Sequence, residues 1–220
     1  MPRKHTIDLY WSFRSPYSYL ALPRVAAAAR EPDLDWRIRI VYPLAIRYPE
    51  YFDRQKQNAL ARPYFLADCE RVAASLGMPF RRPVPDPIVQ DPVTLEIATE
   101  QPYIRRLTHL GIQAERRGKA LPFIVEVSRL LWDGQVDGWD EGDHLARAAA
   151  RAELDLADMQ RAVDADPAGH EAQVQANQQA QQAAGHWGVP MFVVHDEPFF
   201  GQDRFDLLMW RVEQLRRAAA

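Results

Sequence analysis

The chain has 220 residues, 47% of them hydrophobic and 26% charged, the balance of a globular protein with room for one sizeable domain or a smaller one carrying an insertion. A formal charge of −3 offers no basic surface for nucleic acid or an anionic membrane, and no apolar run approaches the roughly 20 residues that span a bilayer. The single cysteine, Cys69, excludes an intramolecular disulfide and dithiol chemistry within one chain.

The N-terminus is basic, but strand-like residues including Asp8 follow it with no signal-peptide core, so a cytoplasmic protein is expected. Residues 6–13 are apolar almost throughout and predict a strand covered on both faces. Residues 16–30 predict a helix that ends before Pro32 and kinks at Pro23. Leu34 to Val41 alternates apolar and polar residues, the pattern of a second strand. Strand, helix and strand in succession argue for parallel pairing in an α/β sheet.

From about residue 43 to 185 the pattern is helical. A helix is expected from Leu60 to Leu76, stopped by Gly77, with Cys69 as a buried, inert thiol on it. The proline-rich segment 81–87 predicts an extended loop. Residues 94–117 read as a helix kinked at Pro102, followed by Phe123–Trp132, Asp143–Arg151, Leu156–Asp164 and Ala168–Ala184. The chain then returns to sheet: a strand over Pro190–His195, a turn at Asp196-Glu197 and a short strand Pro198–Phe200. A last helix opens at Gly201-Gln202-Asp203-Arg204, its apolar positions Phe205, Leu208, Met209, Val212 and Leu215 falling at helical spacing. The order β-α-β, helical insertion, β-β-α is that of an α/β thioredoxin-like fold. Residues 1–42 and 186–220 would form the thioredoxin-like domain, and 43–185 the helical insertion domain.

Three stretches are candidates for chemistry. Ser15 stands where an N-cap belongs and Pro16 at the first helical position, so unpaired N–H groups and a positive dipole end face whatever sits beside Ser15. Pro190 opens a strand after Gly188-Val189. Gly201 to Arg204 begins another helix, whose free N–H groups can receive a carboxylate. The histidines show no paired metal-ligand spacing, so no metal site is expected.

Each stretch also has a plainer reading. Ser15 can be an N-cap alone, Pro190 a trans proline starting an edge strand, and Gln202-Asp203 a cap with a dipole-compensating acid. Tyr10, Trp11, Phe199 and Phe200 read as core or dimer contacts, and His186-Trp187, just before the proline, as core packing, with lining of the pocket as the alternative.

Ser15-Pro16-Tyr17-Ser18 resembles the Cys-x-x-Cys box of thioredoxin-like proteins with both cysteines replaced by serine. Ser15 through Ala21, the Gly77-Met78-Pro79 ending of the 64–80 segment, Gly188-Val189-Pro190 and Phe199 through Arg204 together resemble the 2-hydroxychromene-2-carboxylate isomerases. These are relatives of kappa-class glutathione transferases and of the disulfide-forming DsbA proteins. The resemblance implies a homodimer that binds glutathione and a small unsaturated substrate and acts by reversible thiolate addition.

Carried over by position, Ser15 would donate a hydrogen bond to the thiolate, Val189 would pair with the cysteinyl backbone and Pro190 would hold a cis turn. Gln202 and Asp203 would meet the γ-glutamyl end, and Asn58 would stand for a glutathione-contacting asparagine. Moving a thiol pKa from near 8.5 to about 6.5 needs roughly 2.7 kcal/mol. A hydrogen bond to a charged acceptor gives about 1.5–3 kcal/mol and a helix terminus about 0.3–1, enough without a general base. The family's Tyr-x-Lys-x-Asp pattern is broken here, because Leu66 stands at the lysine; Arg62, one turn earlier, is the candidate replacement. A kappa-like transferase and a non-catalytic thiol or peptide binder are the alternatives.

Overall fold

The computed structural model describes residues 4–50, 58–91, 94 and 96–219. The apolar run after the N-terminus forms β1, His5–Trp11, with Ile7, Leu9 and Trp11 wholly buried. The strand stops two residues before the expected Phe13, because the turn that carries Ser15 begins there. Helix α1, Pro16–Ala28, contains Pro23 at an exposed position and is two residues shorter than expected. Strand β2, Leu34–Ile40, pairs parallel with β1 from His5↔Leu34 to Trp11↔Ile40.

A short helix α2, Leu44–Arg47, leads into the helical segment. There follow α3, Ala61–Ser75, α4, Pro102–Arg116, α5, Ala120–Trp132, α6, His144–Arg151, α7, Leu156–Ala165, and α8, Pro167–Ala183. The helix expected from residue 94 starts instead at Pro102, so that proline is its first residue and not a kink. Upstream the backbone is held by the buried Gln101 side chain. It accepts from the Val89 N–H (2.9 Å) and donates to the carbonyls of Val89 (2.8 Å) and Ala98 (2.7 Å). Helix α5 begins three residues before Phe123, with Pro122 tolerated in its first turn.

The chain closes with β3, Met191–Val194, β4, Glu197–Phe200, a 3₁₀ turn at Gln202–Arg204 and α9, Phe205–Ala219. The sheet order is β2-β1-β3-β4, with β3 antiparallel to both neighbours. The β3–β4 turn is His195-Asp196, not Asp196-Glu197. Both turn residues have positive φ, 48° and 64°, the hand that matches a two-residue hairpin to strand twist. The α/β thioredoxin-like architecture read from the sequence is the observed one.

The helical segment packs onto the sheet without a break in the buried core. Trp132 Nε1 donates to the Phe13 carbonyl at 2.9 Å, Asn177 Nδ2 to the Ile40 carbonyl at 3.0 Å, and the Tyr42 hydroxyl to Glu171 at 2.6 Å. Gly111 lets α4 approach closely: a Cβ there falls 3.0 Å from both Ile40 and Phe13. Among the described residues no helix is long and apolar enough to cross a membrane, and no group of three or more metal-ligating side chains comes together.

Candidate active site at the Ser15 turn

Ser15 caps α1 with its own hydroxyl: Oγ accepts the Ser18 N–H at 3.1 Å, in front of Pro16. The same hydroxyl donates to the Val189 carbonyl at 3.2 Å. Among the described residues no histidine or carboxylate is hydrogen-bonded to it, so nothing stands ready to take its proton. Ser15 is a donor and a cap, not an activated nucleophile.

The Val189–Pro190 peptide is cis. The Pro190 carbonyl accepts from Gly201 N–H at 2.9 Å, which ties the start of β3 to the turn before α9. The Val189 N–H has no partner among the described residues. Gln202 Oε1 accepts from Arg24 of α1 at 2.5 Å, while the exposed Asp203 pairs with its neighbour Arg204 at 2.8 Å. The Arg24 guanidinium lies 5.6 Å over the Phe205 ring; burial lowers its pKa against the pull of Asp206 and Asp203. Ser15, Val189, Pro190 and the Gly201-Gln202 turn are thereby joined, although 174 residues separate the first two.

Next to Arg14, which reaches Asp86 and Gln90 in its wall, lies a cavity of about 410 Å³ also lined by Arg62, Arg82, Ile88 and Tyr103. Arg62, on the exposed face of α3, makes no ion pair or hydrogen bond among the described residues. Leu66, one turn on, is half-buried. Asn58 is exposed, and its side chain accepts from the Leu60 N–H at 3.1 Å; it is not among the cavity walls.

Asp86 links this cavity to the turn. Arg14, the residue before Ser15, grips it with Nε at 2.7 Å and Nη2 at 3.0 Å, and Arg82 adds a contact at 2.9 Å. Burial pushes the Asp86 carboxyl up, but Arg14 and then Arg82 prevail and hold it below the usual carboxylate range. Arg82 and Asp86 sit on the proline-rich loop, which is anchored by Trp139 Nε1 to the Pro85 carbonyl (2.8 Å) and by Arg81 N–H to the Trp132 carbonyl (2.8 Å). The Val84–Pro85 bond in that loop is also cis, which the sequence reading did not anticipate.

Arg14, Arg24, Arg82 and Asp86 were missed by that reading. The available signal was a pair of arginines and an aspartate inside a segment too rich in proline to be helix or central strand. His186-Trp187 was read as core packing and is not: Trp187 stays 43% exposed, its ring stacked on His186. Phe200 is equally exposed, because alternate residues of β4 point outward. Cys69 is buried on α3, its thiol pushed up to about 12 by burial first and then by Asp68, so it stays protonated and inert.

A β1-α1-β2 unit, an antiparallel β3-β4 pair and a cis proline preceded by the carbonyl that Ser15 bonds define a thioredoxin-like protein. The chain belongs to the DSBA-like thioredoxin domain family, whose model matches residues 6–213. It is 27% identical over 205 residues to a 2-hydroxychromene-2-carboxylate isomerase of Sphingobium xenophagum, covering 92% of this chain and 95% of that one. A solved 2-hydroxychromene-2-carboxylate isomerase superposes with a TM-score of 0.74 at 19% identity, covering 97% of both chains. The cytosolic disulfide reductase DsbM of Pseudomonas aeruginosa, solved with GSH, superposes at 0.57 with 15% identity over 94% of this chain and 99% of that one. The two structural likenesses establish the fold.

Proposed function

We propose that the protein is a glutathione-dependent isomerase acting on an unsaturated, aromatic-derived carboxylate of the 2-hydroxychromene-2-carboxylate kind. The observation that carries the reading is the Ser15 hydroxyl, held at the N-terminus of α1 against the carbonyl that precedes a cis proline, where no protein sulfur stands. The name of the Sphingobium relative and the GSH in the DsbM structure support it. The donor set suits an extended thiol peptide: Val189 offers an N–H with no partner among the described residues, beside a carbonyl, and Ser15 offers a hydroxyl.

When bound, glutathione supplies the sulfur nucleophile that adds to an electron-poor carbon and leaves again. Val189 orients the peptide through its backbone, with Pro190 fixing the chain direction. The Gln202-Asp203 turn receives the γ-glutamyl end, and Arg24 keeps Gln202 in place. Ser15 moves its donation from the Val189 carbonyl to the sulfur. That exchange trades a neutral bond of about 0.5–1.5 kcal/mol for a charge-assisted one of about 1.5–3, a net gain on the order of 1–1.5 kcal/mol. With about 0.3–1 kcal/mol from the helix terminus, the thiol pKa falls by about one to two units. This falls short of the roughly 2.7 kcal/mol that a full two-unit shift needs, because Ser15 is already bonded to the Val189 carbonyl. Arg62 and Arg82 hold the substrate carboxylate in the cavity, and Arg62 fills the role of the lysine lost at Leu66. Asn58 is assigned a contact with glutathione by the family resemblance.

The test is turnover of 2-hydroxychromene-2-carboxylate with glutathione present, followed by absorbance, with total glutathione assayed at the end. Isomerisation with constant glutathione supports the reading. A glutathione adduct makes the protein a kappa-like transferase, and binding without turnover makes it a peptide-binding protein. The reading includes a homodimer, tested by sedimentation, and a cytoplasmic location, tested by fractionation.

A further inference from the structure

We propose that His186 is a positioning residue for the backbone that receives the thiol peptide: as a neutral ring it holds the Gly188 N–H and with it Val189, and its protonation releases them. The proposal rests on the glutathione reading and adds a pH-sensitive control to the same site.

The Gly188 N–H donates to His186 Nδ1 at 2.9 Å, so Nδ1 is an acceptor and the neutral ring carries its hydrogen on Nε2. The ring is clamped between two others. Trp187 stacks at 4.5 Å between centroids with planes 5° apart, and Phe200 of β4 at 4.0 Å and 21°. Phe200 presses on the same segment from beneath, since a Cβ at Gly188 would fall 2.1 Å from its ring. The Trp187 and Gly188 carbonyls are held from the helical side. Gln181 of α8 donates to the Gly188 carbonyl at 2.6 Å and accepts from Arg47 of α2 at 2.8 Å, and Arg47 donates to the Trp187 carbonyl at 2.6 Å. Two residues on, the Val189 carbonyl meets Ser15. The backbone of residues 187–189 is thus held at each carbonyl, and, among the described residues, at Gly188 N–H by the imidazole alone.

A proton on Nδ1 turns the acceptor into a donor facing another donor, and that bond is lost. Burial lowers the His186 pKa below its ordinary 6.5. Packed against the ring are the Trp187 and Phe200 rings and the Gly188 backbone; among the described residues no carboxylate is bonded to it, and the cation bound to the loop is Arg47. Arg47 is itself pulled down to about 10 by burial and stays charged throughout the histidine range. Because the structured-state pKa is depressed, the hold is complete above pH 6.5 and is lost as pH falls through the lowered value.

The experiment is calorimetric titration of the intact protein with S-methylglutathione, whose blocked thiol cannot titrate, at pH 8 and at a lower pH at which NMR shows the His186 ring protonated and the fold intact. Losing one hydrogen bond on the segment is expected to weaken wild-type affinity roughly five- to tenfold at the lower pH. His186→Asn keeps an uncharged acceptor two residues before the same N–H and is expected to bind nearly equally at both pH values. His186→Phe keeps the stack but lacks the acceptor, and is expected to bind weakly at both. A wild-type pH dependence that persists in His186→Asn, or wild-type affinity in His186→Phe, overturns the proposal alone. Absence of wild-type binding at pH 8 overturns the glutathione reading and this proposal with it.

Discussion

Replacing Ser15 separates its two roles, because glycine caps a helix nearly as well as serine whereas alanine does not. Both variants lose the bond from the hydroxyl to the Val189 carbonyl, about 1 kcal/mol. Ser15→Ala also loses the cap on Ser18 N–H, about another 1 kcal/mol, while Ser15→Gly loses only a few tenths. The two differ by roughly 0.7 kcal/mol, so in a chain of this length the alanine variant is expected to melt about 1–3 °C below the glycine variant. The bound thiol follows another logic. In both variants the hydroxyl that moves from carbonyl to sulfur is gone, so the thiolate loses on the order of 1–1.5 kcal/mol and its pKa rises by about one unit in each. The assay is the ultraviolet absorbance of the bound thiolate followed against pH; Cys69, buried with its thiol near 12, does not titrate in that window. An unchanged thiol pKa in both variants, or a shift in alanine alone, would refute the role given to Ser15.

Three further outcomes follow from the site. Arg62→Leu is expected to raise KM for a carboxylate substrate roughly tenfold with kcat nearly unchanged, since the lost contact is made alike to substrate and transition state; steady-state kinetics decides. Asp86→Asn breaks the grip of Arg14 and Arg82 and is expected to lose about 2–3 kcal/mol in denaturant unfolding. Since Asp86 titrates below its unfolded value, its contribution is present above about pH 4 and lost on further acidification, so the wild-type advantage over this variant should shrink there. Cys69→Ala is expected to keep full activity and lose about 1 kcal/mol of stability, and the native thiol should resist a thiol-specific reagent until the protein unfolds.

What the sequence made legible were features carried by neighbours along the chain. Ser15 followed by Pro16 marks a helix start on its own, and the alternation of Leu34 to Val41 marks a strand. What it hid depends on contacts across the fold. Asp86 meets Arg14 across 72 residues, and nothing near either one announces the other. Pro102 has two local meanings, a kink or a first helical residue. Only the Gln101 side chain, folded back onto Val89 and Ala98, decides between them. The hairpin turn was misplaced by one residue because His195 reads as strand by composition, yet takes the left-handed backbone that histidine tolerates better than most. His186 looks like core filling until Phe200, from the expected β4 but in a pairing the sequence does not announce, meets its ring.

The bond from Trp132 to the Phe13 carbonyl has a bearing on engineering. A buried indole from the middle of the helical segment braces the turn two residues ahead of Ser15, and Gly111 seats a neighbouring helix against the same phenylalanine. Trimming residues 43–185 to reach a minimal thioredoxin-sized scaffold would strip one side of the sheet and leave that carbonyl unpartnered in the gap. Transplanting new specificity is better attempted at Ile88, Val89 and Gln90, which line the cavity while the anchors at Pro85 and Arg81 stay where they are.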